Sequence, residues 1–183
     1  MSEQKVKNGL EKEIEIPDGI KVRFEDNVLI LNGPLGESRK DFSKVKTQMM
    51  LDGTKVVIKA FRKKKFDLSI VNTAHSLVNN MIKGVTKGFT YKLKIVFAHF
   101  PITIKVKGDM VSIENFLGER SPRLTRIIGN CKVSVEGDDV IVTGVSLEDV
   151  SQTAANIEKV TKIKEKDQRV FLDGIYVFEK QKG

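Results

Sequence analysis

The chain is written twice. Ile-Lys-Val stands at Ile20–Val22 and again at Ile104–Val106, 84 positions on. Leu-Gly-Glu begins at Leu35 and at Leu117, 82 apart. The run LDGTKVVIKA, from Leu51, lines up with VEGDDVIVTG, from Val135, again at 84, and NTA at Asn72 matches QTA at Gln152 at 80. Each match alone is weak. Four in one order, drifting only slightly, point to a tandem duplication whose boundary falls near residue 86, within KGVTKGFTYK. The 183 residues then divide into two small domains, 1–86 and 87–183, and both must reach the same fold.

Local patterns give both halves one order of elements. IKVRF, NVLILN and TKVVIKA carry the β-branched and aliphatic runs of strands, separated by the turn signals EDN and DG. ITIKV, MVSIE, KVSV and DVIVTG repeat this around KGD and EGDD. Each half closes with a helix. Phe66 to Lys83 places Val71, Ala74, Val78 and Met81 at steps of three and four, and Gly84 reads as its stop. Ser146 with Asp149 predicts an N-cap, and Leu147, Val150, Ala154, Ile157 and Val160 a buried stripe. Across the boundary, Phe89, Tyr91, Leu93, Ile95 and Phe97 alternate as in a half-buried strand. The fold class is α+β: a tandem duplication of a small antiparallel sheet packed on one helix.

Little here suggests catalysis. His75 lies mid-helix with no ligand at metal spacing beside it, and Cys131, the single cysteine, reads as a packed side chain at a strand edge. No nucleophile elbow is present, and the glycines of GVTKGF are not followed by Lys-Ser or Lys-Thr. GPLG (Gly33 to Gly36) fits the GXXG of a KH domain, but it follows a strand and precedes a loop rather than joining helices. No enzyme, cofactor or metal is expected. The N-terminal MSEQKVKNGLEKE lacks the apolar core of a secretory signal, and no apolar run is long enough to span a membrane.

Charge says more. The net charge of +8 and pI near 9.5 favour a polyanionic partner. Arg39 to Lys65 holds ten basic and two acidic residues and ends in RKKK, Arg62 to Lys65, a run that fits a solvated face as well as a binding one. Arg120, Arg123, Arg126 and Lys132 follow one another with no acid between. Lys159, Lys162, Lys164 and Lys166 form a third cluster, diluted by Glu165 and Asp167. In GERSPRLTR the guanidinium forks match phosphate oxygens, and Ser121-Pro122 stiffens the loop that carries them. Aromatics, at 7%, are too few among these cations for a base-stacking platform, so backbone and shape recognition of folded RNA is the better reading.

AHFPI (Ala98 to Ile102), ENFLGERSPR (Glu114 to Arg123), SQTAANIE (Ser151 to Glu158) and RVFLDGIYVF (Arg169 to Phe178) resemble the second domain of the ribosomal protein L-six family, the universal large-subunit protein six. IPDGIKV and LNGPLGE resemble its first domain. The branch looks archaeal or eukaryotic, because DQRVFLDGIYVFEKQKG stands where the bacterial branch has a Gly- and Lys-rich tail. The resemblance implies a cytoplasmic ribosomal protein, monomeric within the ribosome. It would bind large-subunit rRNA beside the sarcin–ricin loop, with neighbouring ribosomal proteins including the stalk base as further partners. It implies binding mainly through the second domain, with RNA contacts at His99, Arg120 and Arg123, around Arg169 and Tyr176, and at the tail lysines Lys180 and Lys182. Arg126, Lys164 and Lys166 join them from the charge clusters, and Arg39 and Lys40 of the first-domain loop form a secondary contact or a face for protein neighbours. Leu117 and Gly118 read as turn and core residues; Tyr176 stands equally well as core or contact.

Two rivals fit parts of this. A TATA-binding-type DNA protein is also basic and duplicated, but it wedges paired phenylalanines into base steps, and the ten here sit mostly in core-like alternation. A non-ribosomal protein-interaction module explains the duplication but not the clustered arginines.

Overall fold

The computed structural model describes residues 11–182 apart from 63, 165 and 168. The N-terminal stretch through Leu10, Lys63 of RKKK, Glu165 and the side chain of Lys182 lie outside what is described. Residues 1–87 and 88–183 form two compact units.

The first unit contains β1 (Glu11–Glu15), β2 (Lys21–Glu25), β3 (Val28–Gly33), β4 (Gly36–Asp41), β5 (Thr47–Asp52), β6 (Lys55–Ala60) and α1 (Lys65–Thr86). It holds two antiparallel three-stranded sheets rather than one, β1-β6-β5 and the meander β2-β3-β4. Asp26 and Asn27 both take positive φ (50° and 63°) to close the β2–β3 hairpin, the conformation a right-twisted two-residue turn requires. Val71, Ala74, Val78, Met81 and Val85 form the buried stripe of α1, in a core shared with Leu29, Leu31 and Ile58.

The helix does not stop at Gly84. Gly84 is a buried helical position, and α1 runs on to Thr86 because its last turn still has a partner. Val85 packs on the β3–β4 hairpin, where its carbonyl accepts a hydrogen bond from the Leu35 amide at 3.1 Å. Gly33 makes that approach possible: a Cβ there would lie 2.8 Å from both Cβ and O of Val85. Gly33→Ala is therefore expected to cost about 1–3 kcal/mol, seen as a lower urea midpoint. An unchanged midpoint would mean that hairpin and helix separate freely at this contact.

The second unit contains β7 (Phe89–Val96), β8 (Thr103–Lys107), β9 (Met110–Glu114), a 3-10 turn (Phe116–Gly118), β10 (Arg123–Arg126), β11 (Lys132–Glu136), β12 (Asp139–Gly144), α2 (Leu147–Val160) and β13 (Gly174–Lys182). The duplication is visible strand by strand. β8-β9-β10 repeats β2-β3-β4, and β7, β11, β12 and α2 stand where β1, β5, β6 and α1 stand in the first unit. β13 is an addition; among the described residues the first unit has no counterpart. It pairs with the free side of β7, completing the four-stranded sheet β11-β12-β7-β13.

Alternation builds this core. Phe89, Tyr91, Leu93 and Ile95 of β7 face inward, while Lys92 and Lys94 reach Glu179 (2.8 Å) and Asp139 (2.9 Å) on the flanking strands. Phe97 falls outside the strand and is exposed, so the alternation ends one pair early. The Ser146 hydroxyl caps α2, accepting from the Asp149 amide at 3.3 Å, and Val150, Ala154 and Ile157 are buried with Leu147 and Val160 half-buried beside them. Cys131 packs at the start of β11, where burial, reinforced by the Asp149 charge, pushes its thiol up to about 11.

Candidate nucleic-acid interface

Four segments distant in sequence are tied together in the second unit. The turn after β7 is held at Ala98, whose amide donates to the buried Asp173 carboxylate at 2.6 Å. Its other side is held to the 115–122 loop: Asn115 donates to the Pro101 carbonyl at 3.1 Å, and the Phe100 ring lies 3.2 Å from where a Cβ on Gly118 would be. Thr161, at the end of α2, accepts from the Ile175 amide at 3.1 Å and so ties the helix to β13. His99 stands exposed between the two anchors of its turn.

The loop 115–122 is where the two copies part. In the first unit the corresponding hairpin turns through Pro34 and Leu35 alone, and Leu35 is exposed. In the second, Asn115 (φ 59°) and Leu117 (φ 53°) are both left-handed, which for a leucine costs about 1–2 kcal/mol. Phe116 between them is 1% exposed, and Leu117 packs against the same core. Burial offsets the strain, so Leu117 and Gly118 are turn and core residues.

Arg123 faces inward. Its Nε and Nη2 donate side-on to both Glu119 oxygens (2.9 and 2.6 Å), and Nη1 donates to the Val160 carbonyl at the end of α2 (2.7 Å). The guanidinium also lies 4.3 Å over the Phe116 ring. Three of its five N–H donors are thus spent inside the protein. Glu119 is held below its ordinary 4.5, first by the hydrogen bond from Arg123 and then by its charge. A depressed carboxyl stabilises the fold above the ordinary value and ceases to do so as pH falls through and below it. Amide exchange in residues 116–123 is therefore expected to accelerate between pH 6 and about pH 3, relative to β12, after correction for intrinsic rates. Equal behaviour of loop and strand would count against the pair.

Beside this loop a groove of about 700 Å³ runs along the end of α2. Arg123, Lys159, Lys162, Lys164 and Lys166 line it, and among the described lining residues Glu119, already engaged, is the only acid. The concentration of one sign within a concave surface attracts anions more strongly than the same charges spread out. A second hollow of about 450 Å³ shares Lys159, Lys162 and Ile163 with it and reaches Phe171 and Tyr176. The Lys166 ammonium lies 4.7 Å from the Phe171 ring centroid.

The other expected contacts are scattered. Arg120 and Arg126 are exposed, in the loop and at the end of β10. Arg169 is exposed but binds Asp167 through its amide (2.9 Å) and guanidinium (2.8 Å). Tyr176 donates to the Leu172 carbonyl at 3.2 Å and lies against Gly174, so it shapes its own loop while its edge lines the hollow. Lys180 and Lys182 are not on a loose tail. They lie on β13, Lys180 with its ammonium 5.7 Å from the Tyr91 ring. The antiparallel register puts them toward the Phe89 end, ~20 Å along the strand from the Val96 end that leads to His99. Arg39 and Lys40 lie on β4, paired with Ile30 and Leu29. The expected loop there is a strand, because after Gly36 the chain turns straight back along β3. Lys159 and Lys162 belong to the groove although the resemblance singled out neither; their place in the Lys159–Arg169 charge cluster was the available signal. Among the described residues no three His, Cys, Asp or Glu gather as metal ligands. Among the described residues no helix is long and apolar enough to cross a membrane.

The sequence model of the family described as ribosomal protein L6 matches residues 16–88 and again 100–174, one match per unit. The chain belongs to the ribosomal protein L6 family. Its relatives named large ribosomal subunit protein uL6 include those of Methanobrevibacter smithii, 45% identical over 94% of this chain and 97% of the relative, and Aeropyrum pernix, 46% identical over 92% and 93%. That of Methanosphaera stadtmanae is 48% identical over 92% of each. These archaeal L6 relatives are named as ribosomal proteins, not as enzymes. The L6 match extends across both units, so the duplication is a property the chain shares with its family.

Proposed function

We propose that this chain is a structural constituent of the large ribosomal subunit and binds large-subunit rRNA through its second unit, near the sarcin–ricin loop and the stalk base, where it supports the translation-factor site. Membership of the L6 family supplies the ribosomal part of this reading. The observation that carries the RNA part is the groove beside the 115–122 loop, with five cations and one engaged acid among its described lining. Lys159, Lys162, Lys164 and Lys166 would contact phosphates there, with Arg120 and Arg126 on the adjoining loop and strand. His99, Arg169 and Tyr176 border the same end of the unit, while Lys180, Lys182, Arg39 and Lys40 would serve separate contacts or protein neighbours at the stalk base. The partners are rRNA and ribosomal proteins, in the cytoplasmic ribosome.

Expression of a tagged chain in an archaeal host, followed by gradient sedimentation, tests the assignment. The tag should travel with the large subunit through a high-salt wash and be absent from the small subunit. Recovery only at the top of the gradient would contradict it.

A further inference from the structure

We propose that Arg123 is a positioning residue: a clasp that latches the strained 115–122 loop onto the end of α2 and so sets the shape of the cationic groove, rather than itself gripping phosphate. The inference rests on the RNA-binding reading above and deepens it. An arginine in a Ser-Pro loop beside two other arginines reads from sequence as a phosphate fork. Its surroundings assign it otherwise. The fork is already filled by a carboxylate of the ideal geometry, through two parallel bonds to Glu119 at 2.9 and 2.6 Å. A third bond, to the Val160 carbonyl at 2.7 Å, meets one of the acceptors that a helix end leaves without an intrahelical partner. The face of the guanidinium rests 4.3 Å over Phe116.

These contacts join four things that must keep their relation for the groove to exist. Glu119 comes from the loop, Phe116 from the core turn, Arg123 from β10 and Val160 from α2. Leu117 and Glu119 of the loop line the same groove as Lys159 and Lys162 at and just past the end of α2. Arg123 hydrogen-bonds to Glu119 of the loop and to the Val160 carbonyl of α2, and so joins the two. The loop also holds two left-handed non-glycine residues, so without a latch it would relax toward conformations that move its lining residues.

Phosphate contact and positioning predict opposite signs for one substitution. If Arg123 touched RNA, Glu119→Gln would free its fork, remove a negative charge from the groove and tighten binding. If Arg123 is the clasp, Glu119→Gln unlatches the loop and weakens binding despite the favourable change in charge. Arg123→Lys probes the latch itself, since lysine keeps the charge but cannot make parallel bonds to Glu119 while also reaching Val160.

The experiment titrates the full chain and its variants with a large-subunit rRNA fragment spanning the sarcin–ricin region, and with unrelated structured RNA of equal length, over a range of salt. Expected are losses of affinity for the ribosomal fragment of about fivefold for Glu119→Gln and about tenfold for Arg123→Lys. The double variant should be no weaker than the weaker single one, because both remove one latch. The salt slope of Arg123→Lys should match wild type, since no phosphate contact is lost. Amide exchange should rise in residues 116–123 in both variants while β12 stays protected, which separates unlatching from unfolding. Tighter binding by Glu119→Gln, or full retention by Arg123→Lys, overturns the clasp while leaving the RNA reading intact. A wild-type chain without preference for the ribosomal fragment overturns that reading itself, and the role of Arg123 falls with it.

Discussion

Phe116→Ala is expected to remove about 3–5 kcal/mol of stability from the second unit, the range for emptying a large aromatic site that cannot collapse. Phe116 is 1% exposed and belongs to the cluster formed by β7, β9, β12, α2 and β13. Its loss would do more than open a cavity. The ring supports the Arg123 guanidinium at 4.3 Å, and its burial offsets the left-handed backbone at Asn115 and Leu117. The loop should therefore lose its conformation well before the unit unfolds. Native-state amide exchange distinguishes the two: residues 115–123 should lose protection almost completely, and strands β7 and β12 only in proportion to global stability. A cost below about 1 kcal/mol would show that the site refills and that Phe116 does not anchor the loop.

Reversing the groove should abolish useful binding. In Lys159→Glu, Lys162→Glu, Lys164→Glu together, three exposed cations become acids, changing local charge by six units with no buried group disturbed. Each phosphate contact contributes about 0.9 to the slope of log K against log salt on duplex, so losing three should raise Kd by about 100-fold or more at physiological salt and flatten the slope by about 2–3. Arg62→Glu with Lys64→Glu, in the first unit, changes charge by four units and provides the comparison; it should act mildly and without specificity. Equal losses from both sets would mean that net charge, not the groove, governs association.

The duplication and most elements were legible because their patterns are strong. β7 alternates over four residue pairs, and both helices keep apolar residues at steps of three and four. Besides β5 and β13, which were not assigned as strands, what escaped was polar. β1 (EKEIE) and β4 (GESRKD) each bury one side chain, so neither presents an apolar alternation. β10 has four residues and two are arginines, which made it look like loop. Gly84 looked like a stop because glycine usually is one; only the packing of Val85 against the β3–β4 hairpin shows why the helix continues.

The site divides in the same way. The cation clusters could be read from the sequence, since charge density needs no geometry to be seen. Which arginine points where could not. Glu119 stands four residues before Arg123 and was visible, but the Val160 carbonyl, 37 residues on, meets it only through the fold. Net charge favours the first unit as the RNA binder, at +6 for residues 1–88 against +2 for 89–183. On the proposed reading the concave arrangement in the second unit outweighs that difference, because phosphates respond to local rather than summed charge.

The most direct measurement is the salt-dependent RNA affinity of the chain with and without its cationic groove. The full chain and a variant with the three groove lysines reversed should be titrated with the sarcin–ricin-containing rRNA fragment and with unrelated structured RNA of equal length. The account predicts that the full chain prefers the ribosomal fragment at physiological salt, and that the variant loses this preference while remaining folded by circular dichroism. Equal affinities of the full chain for both RNAs, collapsing together as salt rises, would contradict it.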